Sequence, residues 1–296
     1  MKLKKPKTQH YELFKPSLAP VENAINLIGF EFDGTACFRK GTKDGPDAIR
    51  AVSEGIESYS PYLDIDLEDH QNKLFDLGNL DVGTTSIPDQ NWQQATDHFL
   101  SIFSPKTLTE KKAKIITLGG EHSISFAPIK TYLDAFPDLV LIHLDAHADL
   151  RDGYNGHHYS HASIIRRVVD HFQDGHKLIQ YGIRSGTKEE YKWMKENNTL
   201  KTSLESFLKS VDDIESSRPV YLTLDLDFFD PSYLPGTGTP EAGGETFHTF
   251  IKLIKKLSKR NFVGADITEL SPIIDPTGNS DIFATKVTRE IAMALL

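Results

Sequence analysis

The sequence predicts an α/β protein built on a mainly parallel β-sheet that helices cover on both faces. Short apolar runs alternate with longer amphipathic stretches from one end of the chain to the other. Several runs are rich in valine and isoleucine and reach only four to seven residues, which is typical of strands buried on both faces. No Pro/Gly/Ser-rich linker, internal repeat or low-complexity segment divides the 296 residues. One domain over 1–296 is therefore expected, with residues 1–20 as an N-terminal extension.

Strand and helix segments alternate in chain order. Apolar runs predict strands at 25–30, 115–118, 139–144, 178–183, 220–226 and 262–267. Amphipathic segments predict helices at 46–59, 92–103, 126–136, 161–172, 188–195, 246–257 and 281–295. The first helix illustrates the pattern, since Pro46 follows Gly45 and Ile49, Val52 and Ile56 recur at helical spacing. Strands alternating with helices form βαβ units, whose ligands bind beyond the carboxyl ends of the strands.

Composition excludes several classes of protein. With 33 basic and 42 acidic residues the net charge is -9, which argues against nucleic acid as the main partner. The longest apolar runs fall far short of the ~20 residues of a membrane helix. No apolar stretch follows the lysine-rich start of the chain, so a secretory signal is not expected. The single cysteine, Cys37, cannot form an intrachain disulfide; a small, buried or half-buried side chain in a reducing, cytoplasmic compartment is expected.

Three predicted strands end in polar motifs. The segments are KIITLGGEHS (114–123), LVLIHLDAHAD (139–149) and VYLTLDLDFFDP (220–231). Alternate residues of an extended chain point to the same side, so Asp145, His147 and Asp149 can converge, as can Asp225 and Asp227. Carboxylates that close buried apolar strands are costly unless they are paired or bind a metal.

The types of residue in these motifs favour two divalent cations. Four aspartates carry a charge of -4 with no accompanying run of Lys or Arg, and His122 and His147 add imidazole ligands. A thiolate-free N/O set disfavours structural zinc and favours manganese, while iron, cobalt, nickel and catalytic zinc remain open. Two bridged ions lower the pKa of a shared water towards neutrality and provide a hydroxide nucleophile. The residues alone thus indicate a binuclear metallohydrolase without identifying the bond it cleaves.

The motifs together resemble the ureohydrolase family, which includes arginases and agmatinases. The resemblance covers roughly residues 25–295. It rests on FRKGTKDGP (38–46) with Ile49-Arg50, GGEHS (119–123), DAHAD (145–149), Ser160-His161, LDLDFFDP (224–231), PGTGTPEAGG (235–244) and ADITELSP (265–272). It implies a three-layer α/β/α fold with a central sheet of about eight strands. It also implies two Mn²⁺ ions per chain and hydrolysis of a guanidino group to urea and an amine.

The resemblance assigns roles to individual residues. Asp145 and Asp225 would bridge the two ions, and His161 would be the proton shuttle. Glu269 would receive the guanidinium of the substrate, and Asp149 would help to protonate the departing amine. The ligands not shared between the ions would be His122 and Asp149 for one ion and His147 and Asp227 for the other.

The loop after Asp149 favours agmatine over arginine. Arginases carry Asn two residues after the third Asp and Ser-Gly-Asn before the loop histidine, whereas this chain has Arg151 and HHYS (157–160). The clamp for an α-amino acid is therefore absent, and LRDGYNG (150–156) and IRSGTKEE (183–190) resemble bacterial agmatinases. The predicted reaction converts agmatine and water to putrescine and urea, a step of polyamine biosynthesis.

Several alternatives remain open at this point. If Arg151 faces the pocket, it would attract a carboxylate, which suits a guanidino acid such as guanidinobutyrate; arginase activity is a further alternative. A catalytically inactive metal-binding regulator belongs to a different class, and the intact ligand positions, His161 and Glu269 argue against it. The expected partner is a small cationic guanidino substrate, with no nucleic acid or membrane, and the resemblance suggests a homo-oligomer, a trimer or a hexamer.

Overall fold

The computed structural model describes residues 3–296, and its centre is a nine-stranded sheet in which all strand pairs are parallel. The strands of the chain are β1 Lys15–Pro16, β2 Ile25–Phe30, β3 Tyr59–Ser60, β4 Ile65–Asp66, β5 Leu74–Asn79, β6 Lys114–Gly119, β7 Val140–Leu144, β8 Lys177–Tyr181, β9 Leu200–Lys201, β10 Pro219–Asp225 and β11 Asn261–Thr268. The strands β3 and β4 form a separate antiparallel pair.

Helices cover both faces of the sheet. They are α1 Gly45–Ala51, α2 Pro88–Ile102, α3 Pro105–Thr109, α4 Phe126–Ala135, α5 Ile164–Val169, α6 Lys188–Glu196, α7 Leu204–Asp212, α8 Phe247–Leu257 and α9 Asn279–Leu295. Neighbouring residues of β2 separate the two layers, since Leu27 belongs to one buried apolar cluster and Ile28 to the other. The predicted three-layer α/β fold is thereby confirmed. Within residues 3–296, no helix combines the length and the hydropathy needed to cross a membrane.

The order of strands in the sheet is β1-β5-β2-β6-β11-β10-β7-β8-β9. The last strand of the chain, β11, is inserted between β6 and β10, and β10 lies beside β7. These four central strands carry the polar motifs at their carboxyl ends. Parallel pairing places those ends at one edge of the sheet, which is where the side chains of the motifs can meet.

The predicted elements are present with shifted ends. All six predicted strands form within two residues of their predicted ends. The first predicted helix is shorter than expected, because α1 ends at Ala51 and a 3₁₀ turn follows at Ser53–Gly55. The helix expected at 161–172 begins with a 3₁₀ turn, His161–Ser163, and continues as α5. The two edge strands β1 and β9 and the strand β5 were not predicted; together with the six predicted strands they make a sheet of nine, against the about eight that the resemblance implied.

The N-terminal segment lies against the edge of the sheet. Lys4 forms a β-bridge with Asn79, and β1 pairs with β5. Tyr11 and Phe14 are buried in one of the two apolar clusters. The segment therefore covers β5, which is otherwise the outermost long strand on this side of the sheet.

Candidate metal centre

The candidate metal centre lies at the carboxyl ends of β6, β7, β10 and β11. His122 opens a 3₁₀ turn shortly after β6. The turn is reached through Gly120, where a Cβ atom would lie 1.9 Å from the carbonyl oxygen of Phe32, so only glycine fits this approach. The motifs after β7 and β10 supply the aspartates, and the segment after β11 supplies Glu269.

Two histidines and four aspartates converge at this edge. The Nδ1 atom of His122 lies 3.0 Å from Asp145 Oδ2, 3.0 Å from Asp149 Oδ2 and 3.5 Å from Asp225 Oδ2. The Nδ1 atom of His147 lies 3.0 Å from Asp227 Oδ2 and 3.6 Å from Asp145 Oδ1.

Asp145 lies between the two imidazoles and faces each of them with a different oxygen. The structure thus brings all six predicted ligand side chains together. Their assignment to two ions stays a prediction.

The charges of this cluster shift the pKa of its members. Burial by itself lowers the pKa of an imidazole, but hydrogen bonds with Asp145 and Asp149 hold the pKa of His122 well above its usual value. Burial also lowers the pKa of His147, but the carboxylates of Asp227 and Asp145 outweigh it and raise this pKa to about 12. Burial and the charge of Asp145 raise the pKa of Asp149 to about 7. The cluster therefore needs positive charge, which protons or divalent cations can supply.

The hydrogen bonds of His122 test whether a cation fits. Its Nε2 atom lies 2.9 Å from Thr223 Oγ1, which donates its only hydrogen to Asp266 at 2.7 Å. Ser125 and Tyr221 also donate to Asp266, which keeps it an acceptor. Thr223 must then accept the Nε2 hydrogen of His122. In the neutral imidazole the Nδ1 lone pair faces the carboxylates, which is the arrangement a metal ligand needs.

A cavity of about 260 Å³ opens over the cluster, and all three predicted catalytic side chains, those of Asp149, His161 and Glu269, reach it. Glu269 is fixed by accepting the backbone N–H of His122 at 2.7 Å. Burial and the nearby Glu121 raise the pKa of Glu269 well above its usual value. The Nδ1 atom of His161 is buried without a hydrogen-bond partner among the described residues. Burial, followed by the charges of His147 and His122, lowers the pKa of His161 to about 4, so its imidazole is neutral at pH 7.

The loop 150–160 contributes Arg151, whose entry into the pocket was left open by the sequence, and Tyr154, which was not predicted. Arg151 and Tyr154 line the cavity, with the Arg151 guanidinium carbon 4.9 Å from the centre of the Tyr154 ring. Tyr159, expected to stand where an arginase clamps its amino acid, instead stacks on Trp92 at 4.3 Å and packs against Phe126. The aromatic residue of the pocket is therefore Tyr154, and Tyr159 anchors the loop to α2 and α4.

The expectation for Cys37 is wrong, because its side chain is exposed and lines the mouth of the cavity. Two contributors to the cluster were also missed. Thr223 lies two residues before Asp225, and His143 lies two residues before Asp145. The period of two along a strand puts each on the same side as its aspartate, a signal that could have identified both.

The fold and the site define a parallel α/β protein with a buried His/Asp cluster suited to two divalent cations. The profile of the Arginase family matches residues 23–294. The agmatinase of Bacillus cereus is 39% identical over 276 residues, 92% of either chain, and the agmatinase of Bacillus subtilis is 37% identical over 274 residues, 91% of either chain. The solved structure of a putative agmatinase from Clostridium difficile has a TM-score of 0.82 at 35% identity, and the match covers 93% of this chain and 97% of that one. The chain belongs to the arginase family, whose members depend on a binuclear metal centre.

Proposed function

We propose that this protein is an agmatinase that hydrolyses agmatine to putrescine and urea. The observation that carries the proposal is the position of Asp145, whose two oxygens face the Nδ1 atoms of His122 and His147, two residues that line the cavity. The similarity to bacterial agmatinases over nine-tenths of the chain supports the choice of reaction. The proposed ligands of two ions, taken to be Mn²⁺, are His122, Asp145, His147, Asp149, Asp225 and Asp227.

The side chains of the cavity have separate tasks in this reaction. When bound, two divalent cations activate a water molecule for attack on the guanidinium carbon. Glu269 binds the substrate guanidinium: one of its oxygens is held by the backbone of His122, and a cationic partner offsets the cost of its burial. His161, neutral and with a free Nδ1, takes up a proton and, together with Asp149, delivers it to the departing amine.

A test of the proposal is urea release by the Mn²⁺-loaded protein from agmatine, arginine, guanidinobutyrate and guanidine. We expect agmatine to give the highest kcat/KM. Arginine should be at least ~10²-fold poorer, because the chain lacks the Asn and the Ser-Gly-Asn with which arginases hold the α-amino acid group. A preference for arginine would contradict the agmatinase proposal.

A second candidate, a guanidino acid, is favoured by one observation. Arg151 lines the cavity and makes no ion pair with any of residues 3–296, so it can meet a carboxylate. The discriminating variant is Arg151→Ala, with Arg166→Ala as a matched control, since Arg166 pairs with Asp170 outside the cavity. If guanidinobutyrate is preferred and only Arg151→Ala abolishes that preference, the second candidate is correct.

Further proposals accompany this function. We propose that residues 1–296 act as one ureohydrolase domain, that the protein is cytoplasmic, and that it assembles as a trimer or hexamer. Analytical ultracentrifugation of the metal-loaded protein tests the assembly, because a monomer contradicts it.

A further inference from the structure

His143 lies beside the proposed ligands, where distance alone would permit it to bind a metal. It is fully buried, and its Nε2 atom lies 2.8 Å from Asp145 Oδ2. One ring nitrogen of His143, with ligand atoms of His122, Asp145 and Asp149, falls in a group whose atoms all lie within 4.8 Å of one another. Whether Nε2 of His143 binds a metal or donates a hydrogen bond depends on the hydrogen bonds made by the other ring nitrogen, Nδ1.

Those hydrogen bonds come from the amide of Gln180 on β8. Its Nε2 atom lies 3.1 Å from His143 Nδ1 and 3.4 Å from the carbonyl oxygen of Ala148, while its Oε1 accepts from the Thr199 hydroxyl at 2.7 Å. If the amide were reversed, its oxygen would face the Ala148 carbonyl, which has no hydrogen to offer. Gln180 therefore donates to His143 Nδ1.

We infer that His143 is a positioning residue, not a metal ligand: its Nε2–H donates to Asp145, and Gln180 and Thr199 hold it in that state. The inference rests on the proposed two-metal function. A nitrogen that carries hydrogen has no lone pair for a metal. His122 is the opposite case, because Thr223 accepts its Nε2–H, so that in the neutral ring Nδ1 is the nitrogen with the lone pair.

The hydrogen bond from His143 orients Asp145, the carboxylate that lies between the imidazoles of His122 and His147. A hydrogen bond on Oδ2 fixes the rotation of Asp145, so that Oδ2 stays near His122 and Oδ1 near His147. Partners of this kind orient ligands, and their loss typically costs about 10–100-fold in metal affinity.

Calorimetric titration of chelator-treated protein with Mn²⁺ tests the inference. His143→Leu should still bind two ions, with affinity reduced roughly 10–100-fold, and His143→Gln, which keeps an N–H near the position of Nε2, should recover most of the loss. Gln180→Leu and Thr199→Val should weaken binding in the same direction. Thr131→Val is the control, since it removes an equally buried hydroxyl that bonds only within α4. Unchanged affinity in His143→Leu, or loss of one whole ion, overturns the inference.

A spectroscopic readout separates this inference from the proposed function. In ¹⁵N-histidine spectra of the metal-free protein, the signals that disappear in His143→Leu should report a protonated Nε2 and an unprotonated Nδ1. The reverse pattern contradicts the role given to His143 even if two ions bind. Wild-type protein that takes up fewer than two ions contradicts the proposed function, whatever the state of His143.

Discussion

Asp149 and Glu269, two of the residues proposed to act on the substrate, have left-handed backbone conformations, with φ of 54° and 69°. A residue with a Cβ atom pays of order 1–3 kcal/mol for such a conformation, which persists only where the surrounding structure enforces it. Backbone hydrogen bonds enforce both conformations: the N–H of Glu269 donates to Gly120 O at 2.9 Å, and the backbone N–H of Arg166 donates to Asp149 O at 3.1 Å. Both residues with these strained backbones line the cavity.

Replacement of His161 by alanine tests the proton transfer. We expect kcat to fall roughly 10²–10⁴-fold, as for loss of a general acid/base, while both metals stay bound. His157→Ala is the matched control, because His157 belongs to the same loop but pairs with Asp89 outside the cavity. Turnover should be nearly unchanged in the control. Undiminished kcat in His161→Ala would remove His161 from the mechanism.

Among the elements, β5 is held in place by a buried ion pair in addition to its apolar contacts. Arg50 of α1 makes a bidentate contact with Asp76 of β5, with distances of 2.8 and 2.9 Å, and both side chains are fully buried. Arg50 also donates to Asn79 at 2.6 Å, and the backbone N–H of Tyr11 donates to Asp76 at 2.9 Å. This network joins the N-terminal segment, α1 and β5.

Breaking the pair should destabilise the fold in a way that depends on pH. Arg50→Met leaves Asp76 buried without its partner, which should cost about 3–5 kcal/mol. Burial alone would raise the pKa of Asp76, but Arg50 holds it below its usual range. The contribution of the ion pair to the free energy of unfolding is therefore complete above about pH 4 and is lost as the pH falls further.

Urea unfolding between about pH 7 and pH 3 measures this effect. Asp76→Asn should flatten the loss of stability at the acid end, and Lys209→Met, on the exposed face of α7, should leave the profile unchanged. An acid profile that is the same in wild type and Asp76→Asn would contradict the role of the pair.

At the scale of the whole molecule, the order of strands assembles the metal cluster. His122 follows β6, Glu269 follows β11, and the aspartate motifs follow β10 and β7, four strands that lie side by side. The crossing of β11 back into the middle of the sheet separates β6 from β10 and places Glu269, the proposed guanidinium-binding residue, between the two halves of the cluster.

Metal removal should therefore affect the stability of the whole molecule. The Mn²⁺-loaded protein should contain two ions per chain, and chelation should lower Tm, because the aspartates lose their compensating charge. Each ion at about 100 times its Kd contributes ~2.7 kcal/mol. Metal analysis and calorimetry should show fewer ions and a smaller Tm shift in Asp227→Ala. Asp97→Ala, an exposed site on α2, should behave as wild type. An unchanged count in Asp227→Ala would contradict the two-metal centre.

The sequence by itself determined the layers, the central strands and the two histidines and four aspartates proposed as metal ligands. Buried parallel strands leave continuous apolar runs, and alternation along an extended chain places Asp145, His147 and Asp149 on one side. These are local signals, so they are readable without knowledge of the fold. The strand β5 escaped prediction because Asp76 and Gly78 interrupt its apolar pattern, and the partner that permits burial of Asp76 lies in α1.

Only the tertiary structure decided which side chains meet across strands. Contacts between distant segments insert β11 between β6 and β10 and stack Tyr159 on Trp92. They also bring Tyr154 and Cys37 to the cavity. The opposite hydrogen-bond states of His122 and His143 have the same origin. Thr223 from β10 and Gln180 from β8 set them, since a histidine ring has no preference of its own until partners on other strands occupy its nitrogens.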